Sequence, residues 1–441
     1  MKRSLIPLGL AITLVGHLSV ARAGEILTSP PAESFPGTVA VAWFDLLYDV
    51  VKAEHVTPPQ AARTYGLAAV ALYEAIVPGS FTHRSLVGQL NELVAVPQPK
   101  RFRRHHWPTV ANSALSSMTR TLFPSASQSS LEAIMALEHA FATAFQDSVR
   151  PSVYARSVSH GQAIAGAISA WAATDGLSTL NDCPYTPPVG PGLWEPTPPG
   201  FAPEPLQPCW GQLRPMVLPS SEVCSPPAHP PYAEDPKSEF YAQAFTVYHT
   251  AQTLTPEQQT IAHYWADSPG TTGTPPGHWI AIMSQLARHD DLSLMAAAEG
   301  FVRVGLAVAD AFIGCWHTKY FYNLLRPVTY IQHHIDPAWL PLLGTPNFPE
   351  YTSGHSVQSA AAAAVLTAMF GIRSFTDTLH PDHDLPLSLE PRTFSSFEAA
   401  AEEAALSRLY GGIHYPFAST NGLLQGRCIG QMITDRVKFK W

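Results

Sequence analysis

The run LSLMAAAEGFVRVGLAVADAFIGCWHTKYFYN, from Leu292 to Asn323, decides the fold class. Met295, Phe301, Val304, Val308, Phe312, Cys315 and Trp316 recur at three- and four-residue spacing, which is the period of one helical face. No proline interrupts the run, and it is several times longer than a typical strand. Working outward, the same periodicity marks Val39 to Glu54, Pro59 to Ile76, Val110 to Leu122, Ser130 to Gln146 and Val153 to Ala173. It also marks Glu239 to Gln252, Gln258 to Trp265, Ser356 to Phe370, Ser396 to Tyr410 and Leu423 to Val437. Alternating apolar runs joined by Asn-Gly or Asp-Gly turns are absent. The sequence predicts an all-α protein made of helical bundles.

One segment breaks the pattern. Residues Cys183 to Pro236 hold 17 of the 42 prolines, which forbids long helices and favours extended coil. Such a segment either separates two helical halves or wraps one bundle and lines a pocket mouth. We expect a single helical domain over 24–441, with this insertion at about 183–236 and the site-bearing portion at about 255–441. No repeat of 20–50 residues is visible.

Composition narrows the function. The chain has 441 residues, 46% apolar and 14% charged, enough to bury a large core, so it is not a disordered chain. A net charge of −8 argues against nucleic-acid binding, which needs a basic face. Residues 1–23 read as an export signal: Lys2 and Arg3, then the apolar stretch Leu5 to Ala21, then the small-x-small site Ala21-Arg22-Ala23. No later run is long and apolar enough to span a membrane, so stable membrane insertion is not expected. A secreted or periplasmic location permits disulfides. Two of Cys183, Cys209 and Cys224 are expected to pair, while Cys315 and Cys428, on helical stretches, read as buried thiols.

Three patterns in the last third converge on an oxyanion. In Lys319-Tyr-Phe-Tyr-Asn-Leu-Leu-Arg326-Pro327, two cations seven residues apart share a helical face, and Pro327 should end the helix at Arg326. Cations beside an apolar stripe need an anion. In Tyr351-Thr-Ser353-Gly354-His355, a helix N-terminus offers free N–H groups, a hydroxyl at Ser353, close backbone approach at Gly354 and an imidazole at the rim. In Ser407-Arg408-Leu-Tyr-Gly411-Gly412-Ile-His414, the glycines end a helix, adding a third cation and a second imidazole in the following loop. The pairs His380/His383 and His333/His334 lack a third matched ligand, so no second metal site is expected.

Taken together, these patterns resemble the signature shared by the vanadium-dependent haloperoxidases and the type 2 phosphatidic acid phosphatases: Lys-x6-Arg-Pro, Ser-Gly-His and Ser-Arg-x5-His. The likeness is strongest over Lys319 to His414 and extends upstream to Trp265-Ala-Asp267, Thr274-Pro-Pro-Gly-His278-Trp279 and Asp310-Ala311. It implies that Lys319, Arg326, Ser353, Gly354 and Arg408 hold the oxygens of vanadate. It also implies His414 as the axial ligand to vanadium and His355 as the acid–base group acting on hydrogen peroxide, with Lys319 assisting. Phe348 and Trp316 resemble the aromatic pair that shapes the halide side of the chloride-oxidising branch. The family often has Asp four residues after the axial His; here that residue is Ala418. The group that would orient His414 is then missing or supplied from elsewhere, a backbone carbonyl being one source, and the gap favours a peroxidase over a phosphohistidine enzyme. Asp267 is the candidate carboxylate partner of Arg408. The expected activity is vanadate-dependent oxidation of chloride or bromide by hydrogen peroxide to hypohalous acid, which then meets small organic acceptors. The alternatives are a secreted acid phosphatase with a phosphohistidine intermediate and an inactive oxyanion-binding module. A homo-oligomer is left open.

Overall fold

A computed structural model describes residues 29–180 and 183–441, so the export signal read at 1–23 lies outside the described residues. The long apolar run folds as one 29-residue helix, Leu294–Tyr322, buried on nearly every face. Ser293 starts it, its hydroxyl accepting the Ala296 N–H. Asn323, in the left-handed conformation at φ 49°, stops it.

Five long helices precede it in the first half: α1 (Thr38–Ala53), α2 (Pro58–Ile76), α3 (Trp107–Leu122), α4 (Gln128–Gln146) and α5 (Pro151–Ala172), followed by the single turn α6 (Leu177–Leu180). The second half holds α7 (Glu239–Gln252), α8 (Pro256–Tyr264), α9 (Thr274–His289), the central α10 (Leu294–Tyr322), α11 (Pro327–His334) and α12 (Gly354–Phe370). It ends with α13 (Leu379–Asp382), α14 (Phe397–Tyr410) and α15 (Pro416–Arg436). The fold is all-α as expected, with one short addition: β1 (Phe375–Asp377) pairs antiparallel with β2 (Arg392–Phe394), Phe375 opposite Phe394.

Some boundaries differ from the sequence reading. Helix α9 was not foreseen, because Pro275-Pro276 reads as a breaker; at the first turn of a helix, proline costs no hydrogen bond. Helix α10 ends at Tyr322, so Lys319 and Arg326 do not share one helix. Arg326 sits on the extended link and caps α11.

Helix α10 packs on α1, α2, α9, α12 and α15, and one apolar cluster runs through both halves of the chain. Helices α12 and α15 touch almost backbone to backbone: a Cβ on Gly426 would lie 2.1 Å from the Val357 carbonyl oxygen. That approach places the start of α12 beside the turn before α15.

The proline-rich segment wraps the bundle. Asp310 on α10 accepts the N–H groups of Met216, Val217 and Leu218 at 2.6–2.9 Å. Leu206 accepts from Trp316 and Tyr320 and lines a cleft. Disulfides join Cys183 to Cys209 and Cys224 to Cys428, leaving Cys315 as a buried thiol. The first pair was among those expected. Cys428 was read as a thiol because its partner is 204 residues away and no local pattern announces it. Among the described residues no helix is long and apolar enough to cross a membrane.

Candidate active site

The three motifs meet at the floor of a cleft of about 390 Å³. The last turn of α10 delivers Lys319, the link before α11 delivers Arg326, the start of α12 delivers Ser353 to His355, the last turn of α14 delivers Arg408, and the turn before α15 delivers His414. Gly412 makes that final turn possible, with φ at 76° and the Pro341 Cβ 3.0 Å from where a side chain would begin.

Lys319 is fully buried, and its Nζ donates to the carbonyls of Pro349, Glu350 and Thr352 at 3.0, 2.9 and 2.6 Å. Three acceptors require three N–H groups, so the geometry is that of an ammonium, although burial, with Arg326 nearby, pulls its pKa down to about 7. The sequence reading made Lys319 a direct oxygen ligand. Here its hydrogens are committed to carbonyls, because the 349–352 loop closes over it, and its bonds shape the loop.

Arg326 is equally buried. Its Nε donates to the Phe348 carbonyl at 2.8 Å, and Nη1 to the Ile413 carbonyl at 3.0 Å and to His414 Nε2 at 3.3 Å. Nη2 has no partner. Arg408 donates to the Trp265 carbonyl at 2.6 Å, the Ala262 carbonyl at 3.3 Å and Ser407 Oγ at 3.0 Å. Burial lowers both guanidinium pKa values to about 10.

The bond between Arg326 and His414 assigns a tautomer. A guanidinium only donates, so Nε2 of His414 is an acceptor and Nδ1 carries the proton. Nδ1 lies 2.7 Å from Glu350 Oε1, which also accepts the Tyr415 N–H at 3.0 Å. Burial, then Arg326, holds the imidazole pKa well below its usual value. Glu350 is therefore the partner that His414 was missing, and the argument that Ala418 leaves the imidazole without a carboxylate falls. Ala418 has another part: its carbonyl accepts the Ser353 N–H at 3.2 Å. Glu350 was missed because it lies 64 residues from His414. The available signal was a lone acid in the apolar stretch Phe348-Pro-Glu350-Tyr351.

Ser353 caps α12, its hydroxyl accepting the Ser356 N–H at 3.4 Å and keeping its own proton to donate. Gly354 lies open to the cleft, since a Cβ there would meet nothing closer than 3.7 Å. His355 lines the cleft with Nε2 buried and unpartnered. Burial, then Arg408, pushes its pKa well below the usual range. Phe348 and Trp316 stand 5.0 Å apart on the cleft wall, and Phe348 faces both Lys319 Nζ, at 5.1 Å, and Arg326, at 4.8 Å.

Asp267 is not hydrogen-bonded to Arg408. Its Oδ2 lies 2.9 Å from His278 Nδ1, and Asp377, carried by β1, lies 2.7 Å from His278 Nε2. Asp267 acts on Arg408 only through its charge, because His278 on the unforeseen α9 claims the carboxylate. His278 stacks on Trp265, with centroids 4.2 Å apart, and the Trp265 carbonyl holds Arg408. Among the described residues no group of three or more His, Cys, Asp or Glu could hold a metal ion. His380 instead meets the Tyr264 carbonyl and His383 meets Asp49.

Comparison with known proteins places this arrangement. Residues 299–441, which contain all three motifs, match the model of the VCPO second helical-bundle domain. A crystal structure of a bacterial vanadium-dependent iodoperoxidase is 33% identical, covering 92% of this chain and 97% of that one, with a TM-score of 0.85. The chain belongs to the vanadium-dependent haloperoxidase family. Other haloperoxidases align more distantly. A vanadium-dependent bromoperoxidase of Ascophyllum nodosum is 35% identical over 159 residues, 34% of this chain and only 26% of that longer protein. A bacterial vanadium-dependent chloroperoxidase shares the fold at a TM-score of 0.63 and 15% identity, covering 86% of this chain and 93% of that one.

The cleft floor fits the tetrahedral oxyanion that the family name implies. It offers an imidazole acceptor at His414 Nε2 that meets only Arg326 Nη1, an unpartnered N–H donor at Arg326 Nη2, the α12 N-terminus and an excess of cations over carboxylates.

Proposed function

We propose that this protein oxidises halide with hydrogen peroxide, by the balanced reaction H2O2 + X⁻ + H⁺ → HOX + H2O, using vanadate held at the cleft floor. The observation that carries the reading is the tautomer of His414: Glu350 takes its proton side and leaves Nε2 an acceptor beside Arg326 on a residue that lines the cleft. Arg326 Nη2, the Ser353 hydroxyl, the Gly354 N–H and Arg408 are the groups proposed to hold the oxygens, and His414 Nε2 the vanadium. Bound vanadate supplies a Lewis acid for peroxide activation. The chain's own residues do the rest. Lys319 adds positive charge where negative charge develops. His355, kept neutral by burial and Arg408, accepts a peroxide proton at Nε2 and returns it to the departing oxygen. Phe348 and Trp316 keep water from the halide's approach. Hypohalous acid then leaves the cleft to meet small organic acceptors. We further propose export from the cytosol, a reading supported by two disulfides.

The test is halogenation of a dimedone-type acceptor by apoprotein with peroxide and each halide, with and without orthovanadate, alongside phosphate-ester hydrolysis. Iodide gives up electrons most easily and chloride least, so rates should fall in the order iodide, bromide, chloride. Vanadate-dependent halogenation that phosphate suppresses supports the proposal. Ester hydrolysis inhibited by vanadate, without halogenation, would replace it with the phosphatase.

A further inference from the structure

A second cavity, of about 540 Å³, lies on the first half of the chain, between residues 100–106 and the junction of α4 with α5. Its lining inverts the character of the molecule. In a chain of net charge −8, Lys100, Arg101, Arg103 and Arg104 place four cations within five positions. Arg103, Arg104 and Arg156 line the cavity, and among the described residues no Asp or Glu does. Arg156 donates to the Arg104 carbonyl at 2.6 Å, which holds its guanidinium at the rim.

One lining residue carries a buried acceptor. His105 is 4% exposed, and its Nδ1 lies 3.0 Å from the Arg103 carbonyl. A carbonyl only accepts, so Nδ1 holds the proton and Nε2 is a lone-pair acceptor; that atom is buried and unpartnered. Burial, with Arg156 adding and the Arg103 carbonyl opposing, lowers the pKa of this imidazole. Ser148 and Ser152 add hydroxyls, and Phe35 and the exposed Phe102 add aromatic faces.

Guanidinium forks select an oxyanion, an orphaned acceptor selects a hydroxyl donor, and an aromatic wall selects a flat apolar face. We propose that this cavity binds an acidic sugar, with its anionic substituent on Arg103, Arg104 and Arg156 and a hydroxyl donating to His105 Nε2. The site is separate from the halide cleft, so the proposal does not depend on the reaction assigned there.

Calorimetric titration of the vanadate-loaded protein tests it with glucose 6-phosphate, a sulfated disaccharide and a galacturonic acid dimer. These three arms separate phosphate, sulfate and carboxylate as the anion. Cellobiose, inorganic sulfate and salicylate are the controls. At least one acidic sugar should bind more tightly than all three controls. Its affinity should fall about tenfold in Arg104→Ala, in Arg156→Ala and in His105→Phe, with halide oxidation unchanged. Arg104→Glu, on an exposed loop residue, should abolish binding without lowering the melting temperature. Absence of binding by all three acidic sugars would overturn the proposal. So would salicylate or sulfate binding as tightly, or His105→Phe binding normally.

Discussion

Two buried charge clusters lie back to back, and they solve burial in opposite ways. At the cleft floor, three cations, Lys319, Arg326 and Arg408, face one carboxylate, Glu350, and an Arg326 nitrogen is left without a partner. Behind it, two carboxylates, Asp267 and Asp377, enclose one imidazole, His278, and Asp377 also accepts from Tyr264, Gln285 and the Leu379 N–H. The titrations follow. Burial lowers the pKa of the floor cations, whereas at His278 the two carboxylates overcome burial and raise the imidazole to about 10. The floor carries an excess of cations, whereas the cluster behind it pairs its one cation on both sides.

The comparison breaks first at His414. Replacing it with Ala removes the acceptor proposed to bind vanadium, so vanadate affinity should fall by roughly a thousandfold or more, equivalent to about 4 kcal/mol or more; vanadate titration followed by vanadium NMR measures this, and an unchanged affinity would refute the assignment. Next is His278→Phe, which keeps the stack on Trp265 but leaves two carboxylates unpaired. We expect a loss of about 3–5 kcal/mol in folding stability, read from urea unfolding at pH 7. The pH dependence has a definite sign. The folded pKa of His278 lies above the unfolded value of about 6.5, so its contribution is complete below pH 6.5 and is lost as pH rises towards 10. The stability gap between wild type and variant should therefore narrow between pH 7 and 10; a constant gap would show that His278 is not the cation.

A smaller effect sharpens the role of Glu350. Glu350→Gln keeps an acceptor for His414 Nδ1 but removes the charge, and vanadate affinity should drop about 10–100-fold while the melting temperature holds. An equal loss of both would make Glu350 structural. The mildest is Asp310→Asn. Burial raises the Asp310 pKa to about 6 despite its three N–H donors, so ionisation lowers stability as pH climbs from about 4 to 6. The Asn variant should lose one acceptor, about 1–2 kcal/mol, and that pH slope with it. Unfolding curves at pH 4 and pH 7 suffice to check it.

What the sequence revealed and concealed follows from distance along the chain. Helical periodicity and the three motifs are local patterns, so α10 and the residues Arg326, Ser353, Gly354, Arg408 and His414 could be read directly. The partners could not. Glu350 reaches His414 across 64 residues and His278 takes Asp267 from Arg408, because pairings between elements are set by how α9, α12 and α15 pack. Cys428 was misread for the same reason. The proline-rich segment was legible as coil, but its attachment to Asp310 required knowing which face of α10 it crosses.

The bond from Cys224 to Cys428 has a consequence for synthesis. Every residue of the cleft floor from Lys319 to His414 lies inside the loop it closes. Tying ends 204 residues apart takes about 5 kcal/mol of entropy from the unfolded chain. It can form only after residue 428 has emerged, so a product that stops short of it leaves Cys224 without this partner. Oxidation of this pair therefore distinguishes molecules synthesised past residue 428 from shorter ones, and thiol-reactive labelling of a nascent population would separate the two.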